Sequence, residues 1–291
     1  MDLRKLRLFL AVVDEGGFTR AAEASYVSQP SVSQAIRELE SELGAPLFHR
    51  LGRGITLTTA GEALVGPARQ VLRDVDVGAA AVAAVAGLAA GQLDLCSLPT
   101  LAVDPVAPLV GAFRVAHPGI TLALANPDDS ADLARLVRTG ECELGVDAEA
   151  VPDLVSHPLG EQELLAVFPP GTPQPRGAIA IDRLAEFALV TTPVGTSTRR
   201  LLDDACTTAG VTPRIAVVTE QREAILPLVL AGAGAALVAS PLAATSRQLG
   251  AVVAGLRPSV RRTVNLLHRP GPLSPAARAF VELAGIPAGT I

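Results

Sequence analysis

The residues best placed to do chemistry lie on one face of a short amphipathic segment, residues 30–43. Its apolar side chains recur at the spacing of an α-helix, and they are Val32, Ala35, Ile36, Leu39 and Leu43. The opposite face begins with Pro30, Ser33, Gln34 and Arg37. Short polar side chains near a helix N-terminus suit the base edges of a DNA major groove. The pattern therefore predicts a DNA-reading helix, and the competing interpretation is an ordinary amphipathic helix in a small bundle.

The same outward face is predicted to become acidic further along, at Glu38, Glu40 and Glu42. Carboxylates repel DNA phosphates, so a helix that enters a groove should carry them away from its entering end. The order of the residues therefore indicates entry by the N-terminal end, where free backbone N–H groups favour phosphate.

Two shorter helices are predicted in front of this segment. Residues 2–14 show apolar residues at helical spacing, and Gly16-Gly17 ends that helix. A second short helix follows, with Thr19 as its predicted N-cap. The connection 26–28 then leads into the third helix, which is predicted to end at Gly44. Three short helices in this order are typical of a helix-turn-helix.

Behind these helices, two short extended runs flank Arg53-Gly54. This arrangement predicts a small hairpin, or wing, whose arginines Arg50 and Arg53 contact phosphates. Residues 1–60 contain seven Lys or Arg and seven Asp or Glu residues. The module is therefore neutral, and its attraction to DNA has to come from the placement of its charges.

Composition limits the class of protein. The chain has 291 residues, of which 49% are hydrophobic and 18% charged, with a net charge of -5. This suits two domains with large cores and argues against a protein that coats nucleic acid along its whole length. The three cysteines, Cys96, Cys142 and Cys206, have no C-x-x-C spacing and are predicted to be free thiols in a core.

The run AAEASYVSQPSVSQAIRELESELGAPLFHR, followed by ITLTTAG, resembles the N-terminal signature of LysR-type transcriptional regulators. A match over about forty residues with fixed gaps is much more specific than a short motif. It departs from the family at Ser25, where leucine is usual. The resemblance implies a multi-domain α plus α/β fold: an N-terminal winged helix-turn-helix, a long linker helix, and a two-lobed α/β effector domain of periplasmic-binding-protein type.

The resemblance also implies contacts with the bases or phosphates of double-stranded DNA at nine positions. They are Thr19, Gln29, Pro30, Ser31, Ser33, Gln34, Arg37, Arg50 and Arg53.

Residues 59–90 show a long helical pattern with apolar side chains near heptad spacing. They are Leu64, Ala68, Val71, Val75, Val82 and Val85. In this family the corresponding helix makes the dimer, so the resemblance implies a homodimer or homotetramer on an inverted-repeat promoter site. The alternative is a helix that packs on its own chain. Pro67 is expected to bend it.

From Gly91 onward, short apolar runs alternate with helical segments, which predicts a parallel α/β structure. One helix is predicted over 101–116, and His157-Pro158 is predicted to be a loop. The expected domains are 1–58 for DNA binding, 59–90 for the linker, and 91–291 for effector binding, with lobe I as 91–161 plus 266–291 and lobe II as 162–265.

Two such lobes would bind a small-molecule effector in the cleft between them. Seven polar residues follow predicted strands or begin predicted helices, where free N–H groups favour anions. They are Ser97, Thr100, Asn126, Thr196, Ser197, Thr198 and Thr219. An anionic effector, such as a carboxylate, is therefore expected. The competing interpretation is that these side chains only cap helices.

Two other functions are considered. One branch of the family senses peroxide through cysteines, and Cys206 can be aligned with its resolving cysteine, but Ser197 stands nine residues earlier, where the reactive partner would be. A solute-binding protein would account for residues 91–291 but not for the first ninety. The leading prediction is a ligand-responsive transcriptional regulator.

Enzymatic activity is not expected, because the sequence shows no catalytic constellation, metal-ligand spacing or cofactor motif. Gly232-Ala233-Gly234 precedes a predicted strand, so it is predicted to be a turn and not a dinucleotide site. No cofactor is expected. With no secretory signal and no apolar run of membrane-spanning length, the protein is expected to be cytoplasmic and to have no membrane partner.

Overall fold

The computed structural model describes residues 1–51, 54–85, 91–173, 175 and 177–287. The N-terminal part consists of α1 (Leu3–Glu15), α2 (Phe18–Ala24), α3 (Gln29–Leu43), β1 (Phe48–Leu51), β2 (Gly54–Leu57) and α4 (Thr59–Val85).

The ends of the first helices follow from local capping. The Asp2 side chain accepts a hydrogen bond from the Lys5 N–H, and α1 ends at Gly16, whose φ of 62° is left-handed. Ser28 caps α3, which ends at a left-handed Gly44. These ends agree with the sequence, except that the N-cap of α2 is Gly17. Thr19 lies inside the first turn, so its predicted capping role is wrong.

Three helices and a hairpin share one small core. Leu6, Phe9, Ile36 and Leu39 are fully or almost fully buried in it. The Phe9 and Phe48 rings lie 5.5 Å apart and so attach the hairpin to the helices. Strands β1 and β2 pair antiparallel, which confirms the predicted wing and gives the module the form of a winged helix-turn-helix.

The first half of α4 packs on this module, because Val65 and Ala68 are buried in the same core. Pro67 lies inside the helix. Val71 and Val75 remain 37% and 39% exposed, and they are available to a second copy of the chain. The predicted contacts at Val82 and Val85 fall outside the residues whose side chains are described.

The C-terminal part begins with β3 (Gly91–Ser97) and continues through further helices and strands. In chain order they are α5 (Pro99–Leu101), α6 (Ala107–Ala116), β4 (Ile120–Ala125), α7 (Ser130–Thr139), β5 (Leu144–Asp147), β6 (Val155–Phe168), β7 (Ile179–Ala180), α8 (Ile181–Leu184), β8 (Ala188–Thr191), α9 (Ser197–Thr208), β9 (Arg214–Val218), α10 (Ile225–Leu230), β10 (Ala236–Ala239), α11 (Ser240–Gln248), β11 (Val252–Ala254), β12 (Leu256–Arg257), β13 (Val260–His268) and α12 (Pro275–Leu283).

The largest sheet has the order β10-β6-β13-β5-β3-β4, with β11 also paired to β6. Strand β3 runs parallel to β4 and β5, whereas β13 runs antiparallel to β5 and β6. The sheet is therefore mixed: the predicted parallel pairing is found among β3, β4 and β5, and β13 and β6 add antiparallel pairs that the sequence did not predict. One core lies around β3 and β5, and others lie around β6 and β10. The long strands β6 and β13 connect these two regions.

Proline explains two differences from the predicted elements. The helix predicted over 101–116 is interrupted, because Asp104 is extended (φ -152°, ψ 121°) in front of Pro105. The predicted loop at His157-Pro158 is instead part of β6. Its register with β13 shifts beside Pro158, between Val264 and Asn265, and such an irregularity accommodates a proline inside a strand.

Candidate nucleic-acid interface and ligand cleft

The N-terminal end of α3 is an exposed polar surface of the winged module. Ser28 is hydrogen-bonded to Ser31 through both the Ser31 N–H and the hydroxyl, with an Oγ–Oγ distance of 2.7 Å. Gln29, Pro30, Gln34 and Arg37 are exposed, and Ser31 and Ser33 are half-buried. Six of the nine predicted DNA contacts therefore lie together on one helix.

Hydrogen bonds within α3 hold these side chains in a row. Gln29 donates from Nε2 to the Ser33 hydroxyl at 2.8 Å. Arg37 donates to Gln34 Oε1 at 3.0 Å, and Gln34 donates to Glu38 at 2.9 Å. These partners are themselves exposed or half-buried, so they can be exchanged for base edges without disturbing the core.

The acidic end of α3 is less free than the sequence indicated. Glu40 is half-buried and accepts a hydrogen bond from the Leu47 N–H at 2.8 Å, so its placement on the outward face is wrong. Lys5 binds Glu38 and Glu42 at 3.1 and 2.8 Å. Hydrogen bonds from Lys5 and the N-terminal amine lower the pKa of Glu42 to about 2. These ion pairs partly neutralise the carboxylates.

The remaining predicted DNA contacts lie beside α3. Thr19 is exposed near the start of α2. Arg50 lies in β1, where its backbone pairs with Ile55. Arg53 lies outside the described residues.

The C-terminal part contains a cleft where the starts of α5, α7 and α9 meet. The cavity volume is about 10 Å³, room for about one water molecule, so a larger ligand requires the walls to move apart. The lining residues are Leu98, Pro99, Thr100, Asp128, Asp129, Ser130, Gly195, Thr196, Ser197, Thr198, Arg200 and Arg222. Four of the seven predicted effector contacts are among them: Thr100, Thr196, Ser197 and Thr198.

The other three predicted effector residues do not line this cleft. The Ser97 side chain is buried, and its hydroxyl donates to the Leu98 carbonyl at 3.1 Å. Asn126 is exposed and precedes the lining segment that begins at Asp128. Thr219 accepts a hydrogen bond from the Gln221 N–H at 3.1 Å, as in a simple turn.

Arg262 is the central cation beneath the cleft, and the sequence analysis did not identify it. It is 6% exposed. Its guanidinium donates to Gln162 Oε1 at 2.8 Å, Ser197 Oγ at 3.0 Å and Thr100 Oγ1 at 3.1 Å. Burial lowers the pKa of Arg262 to about 10. Among the described residues no carboxylate lies within salt-bridge distance of it.

A signal for Arg262 was present in the sequence. Val260, Arg262 and Val264 alternate in β13, and all three are buried. A strand places alternate residues on one face, so the apolar neighbours predict an inward arginine. Gln162 lies directly opposite Arg262 in the antiparallel pair. Gln162 also donates to Asp104 Oδ2 at 3.0 Å, which links both strands to the interrupted helix.

Asp147 is a fully buried carboxylate behind the cleft wall. Its Oδ1 accepts hydrogen bonds from the Ser130 hydroxyl at 3.0 Å and the Ala148 N–H at 2.6 Å. Burial raises the pKa of Asp147, and these hydrogen bonds oppose the rise. Ser130 both lines the cleft and begins α7, so this helix is fixed to the ligand site at its first residue.

The other end of α7 contacts the linker helix. Arg73 of α4 donates to the carbonyl of Gly140, the left-handed cap residue of α7. A cation at a helix C-terminus is favoured by the helix dipole. Arg269 lies beside the same glycine. Burial, followed by the charge of Arg73, lowers the pKa of Arg269 to about 10.

All three cysteines are free and buried, which confirms the prediction. Burial raises the pKa of Cys206, so its thiol is protonated and weakly reactive. The hydrogen bond with Cys142, followed by burial, raises the pKa of Cys96. Ser197 begins α9 within the cleft. These observations favour a ligand-responsive chain over a thiol sensor.

His157 and His268 are neighbours in the fold, although they are 111 residues apart in the sequence. Their Nε2 atoms lie 3.1 Å apart and both rings are buried. No group of three or more possible metal-ligating side chains occurs in the described ranges. Within the same ranges, no helix has both the length and the hydropathy needed to cross a membrane.

Comparison with known proteins supports both halves of this architecture. Residues 3–62 match the model of the bacterial regulatory helix-turn-helix proteins of the lysR family. Residues 86–285 match the model of the LysR substrate binding domain. The chain belongs to the LysR family. It is a ligand-responsive, DNA-binding transcriptional regulator, as the sequence predicted.

Individual LysR-family proteins resemble the chain along almost its whole length. The HTH-type transcriptional regulator TfdS of Cupriavidus pinatubonensis is 34% identical over 294 residues, covering 98% of both chains. A full-length OxyR variant of Pseudomonas aeruginosa shares the fold with a TM-score of 0.77 at 24% identity, covering 98% of this chain and 94% of that one. Full-length CbnR in complex with its target DNA has a TM-score of 0.65 at 24% identity, covering 98% and 99%.

Proposed function

We propose that the N-terminal end of α3 reads bases through its exposed polar residues. The proposed contacts are Gln29, Pro30, Ser31, Ser33, Gln34 and Arg37. Thr19, Arg50 and Arg53 are assigned to phosphates, which position the protein without reading sequence. The observation that supports this assignment is that Gln29, Gln34 and Arg37 are exposed and that their side-chain hydrogen bonds among the described residues go to neighbours within α3.

We further propose that the effector is a small anion, most simply a carboxylate, bound in the cleft. Arg262 provides a buried positive charge that makes no salt bridge among the described residues. The more distant carboxylates of Asp147 and Asp104 offset part of the cost of burying it, and an anion in the cleft would compensate more of that cost. Because Ser197 and Thr100 accept hydrogen bonds from Arg262, their own hydroxyl protons are free to be donated into the cleft. The cleft lining itself is electrically balanced, because Arg200 and Arg222 are matched by Asp128 and Asp129 and Arg200 also pairs with Glu149, so Arg262 is the charge on which the proposal rests.

The effector contacts are assigned to Thr100, Thr196, Ser197 and Thr198. Ser97, Asn126 and Thr219 stay predictions that the cleft lining does not support. Thr196 is held in place by hydrogen bonds with the Thr192 hydroxyl and the Pro193 carbonyl.

The domain limits are also proposals: 1–58, 59–90 and 91–291, with lobe II as 162–265. The lobe boundaries fall within β6 and β13. We propose a homodimer or homotetramer on an inverted-repeat promoter site, with α4 in the dimer contact through Val71 and Val75. A regulator of this kind acts in the cytoplasm and needs neither a cofactor nor a catalytic site.

Selection of genomic fragments by the purified protein at physiological salt tests the DNA function. We expect one strongly enriched inverted-repeat site near the gene of the protein itself. A panel of small carboxylates and their matched neutral amides is then added to the complex. At least one carboxylate should change the affinity for the enriched site, and its amide should not. Enrichment without any carboxylate effect would reject the anionic effector but keep the DNA function.

A further inference from the structure

Tyr26 has a backbone conformation that does not suit its side chain. It lies in the turn between α2 and α3, with a φ of 53° in the left-handed region. Glycine, asparagine and aspartate adopt this conformation more readily than an aromatic residue does. It is also the only tyrosine in the chain.

The protein's own contacts do not compensate for this conformation. The Tyr26 side chain is 96% exposed, so the ring gains almost nothing from burial. In the described part of the chain, no hydrogen bond to its hydroxyl is found. Its N–H donates to the Glu23 carbonyl at 3.2 Å, but any residue other than proline would retain that bond. The fold alone therefore does not explain why tyrosine occupies this turn.

The position of the turn indicates a use for the side chain. Tyr26 comes two residues before Ser28, the N-cap of α3, and the exposed Gln29 and Pro30 follow directly. When a reading helix enters a major groove by its N-terminal end, the turn before it lies against the sugar-phosphate backbone. Tyrosine hydroxyls are regular donors to phosphate oxygens.

The charge of the module makes such a donor useful. Residues 1–60 carry equal numbers of acidic and basic side chains, and Lys5 is already bound to Glu38 and Glu42. Because the module has no net positive charge, it has little long-range attraction to DNA. A neutral hydrogen-bond donor can still add a phosphate contact at short range.

We propose that the Tyr26 hydroxyl donates a hydrogen bond to a DNA phosphate beside the half-site and thereby positions α3 in the groove. Tyr26 is not among the nine DNA contacts that the family resemblance implies. The contact is independent of base sequence, and it accounts for an exposed aromatic ring held at a left-handed turn.

Two variants separate this role from folding. Tyr26→Phe removes only the hydroxyl, and one lost hydrogen bond weakens binding by about twofold to tenfold. The loss should be equal on the enriched site and on a random duplex of the same length. Because tyrosine is uncharged, the slope of log affinity against log salt should stay unchanged. Because asparagine adopts the left-handed conformation more readily, Tyr26→Asn should raise the melting temperature by about 2–4 °C and still weaken DNA binding.

Leu43→Ala provides the matched control, because Leu43 is also exposed on α3 but lies at its far end. This variant should bind both duplexes like the wild type. Wild-type affinity of Tyr26→Phe for both duplexes would overturn the proposal. A loss confined to the enriched site would assign Tyr26 to base reading and would also overturn it. If the unmodified protein binds neither duplex, the failure lies in the DNA function itself.

Discussion

The polar side chains at the N-terminal end of α3 bond to neighbours three or four residues away, whereas those around Arg262 bond to partners 58 to 162 residues away. The first set belongs to a single helix and is exposed or half-buried. The second set joins β6, β13, α9 and the residues after β3, and its central arginine is buried. Substitutions in the first set should therefore change recognition alone. Substitutions in the second should change stability as well.

The largest effect is expected for Arg262→Ala. The substitution leaves a cavity and removes the hydrogen-bond donor to the buried Gln162 and the half-buried Ser197 and Thr100 side chains. It should lower the free energy of unfolding by about 2–3 kcal/mol. Arg262→Met keeps most of the side-chain volume and should lower the free energy of unfolding by less. Urea unfolding of the full chain measures both. Wild-type stability of the alanine variant would show that the cleft is not held by these long-range bonds.

An intermediate effect, on recognition only, is expected for Arg37→Ala. The free energy of unfolding should change by less than about 0.5 kcal/mol, because the side chain is exposed. Discrimination at one base pair should fall by about 1–3 kcal/mol. Titration of the enriched duplex and of single-base variants measures this. Arg247→Ala, an exposed arginine on α11, is the control. Equal weakening on every duplex would move Arg37 to the phosphate contacts.

The smallest effect is expected for the exposed ion pairs of α3. The pKa of Glu42 is lowered from 4.5 to about 2. Its contribution to the free energy of unfolding is therefore fully present above pH 4.5 and is lost as the pH falls toward 2. Glu42→Gln should therefore be slightly less stable than the wild type at neutral pH, and the difference should vanish across that interval. Urea midpoints at several pH values measure it. A difference that grows as the pH falls would have the wrong sign.

The N-terminal module could be predicted from the sequence because its signals are local. Gly16 and Gly44 adopt the left-handed conformation that ends a helix, and the apolar positions of α3 are three or four residues apart. The predicted capping role of Thr19 and the predicted outward placement of Glu40 are wrong, because both depend on the neighbouring backbone. Gly17 caps α2 without a side chain. Glu40 accepts hydrogen bonds from backbone N–H groups of residues that follow α3.

The cleft was predicted only in part because its chemistry is assembled from distant segments. Thr100 and Ser197 could be placed at predicted strand ends or helix starts. Their shared partner Arg262 comes from a third segment, and no spacing along the chain brings these three together. The sequence predicts a loop at His157 because Pro158 follows it, and the register shift that admits this proline depends on the partner strand β13.

Helix α7 begins at Ser130 in the cleft wall and ends at Gly140, where Arg73 of the linker helix binds. Ten residues of α-helix span about 15 Å, and a helix of that length moves as a stiff rod. A ligand that moves the cleft wall at Ser130 would therefore also move Gly140, and with it the contact to Arg73 of the linker helix, by a similar distance. The signal between the two sites would then be a displacement of α7, and it would not depend on the chemistry of the ligand that moves the cleft wall.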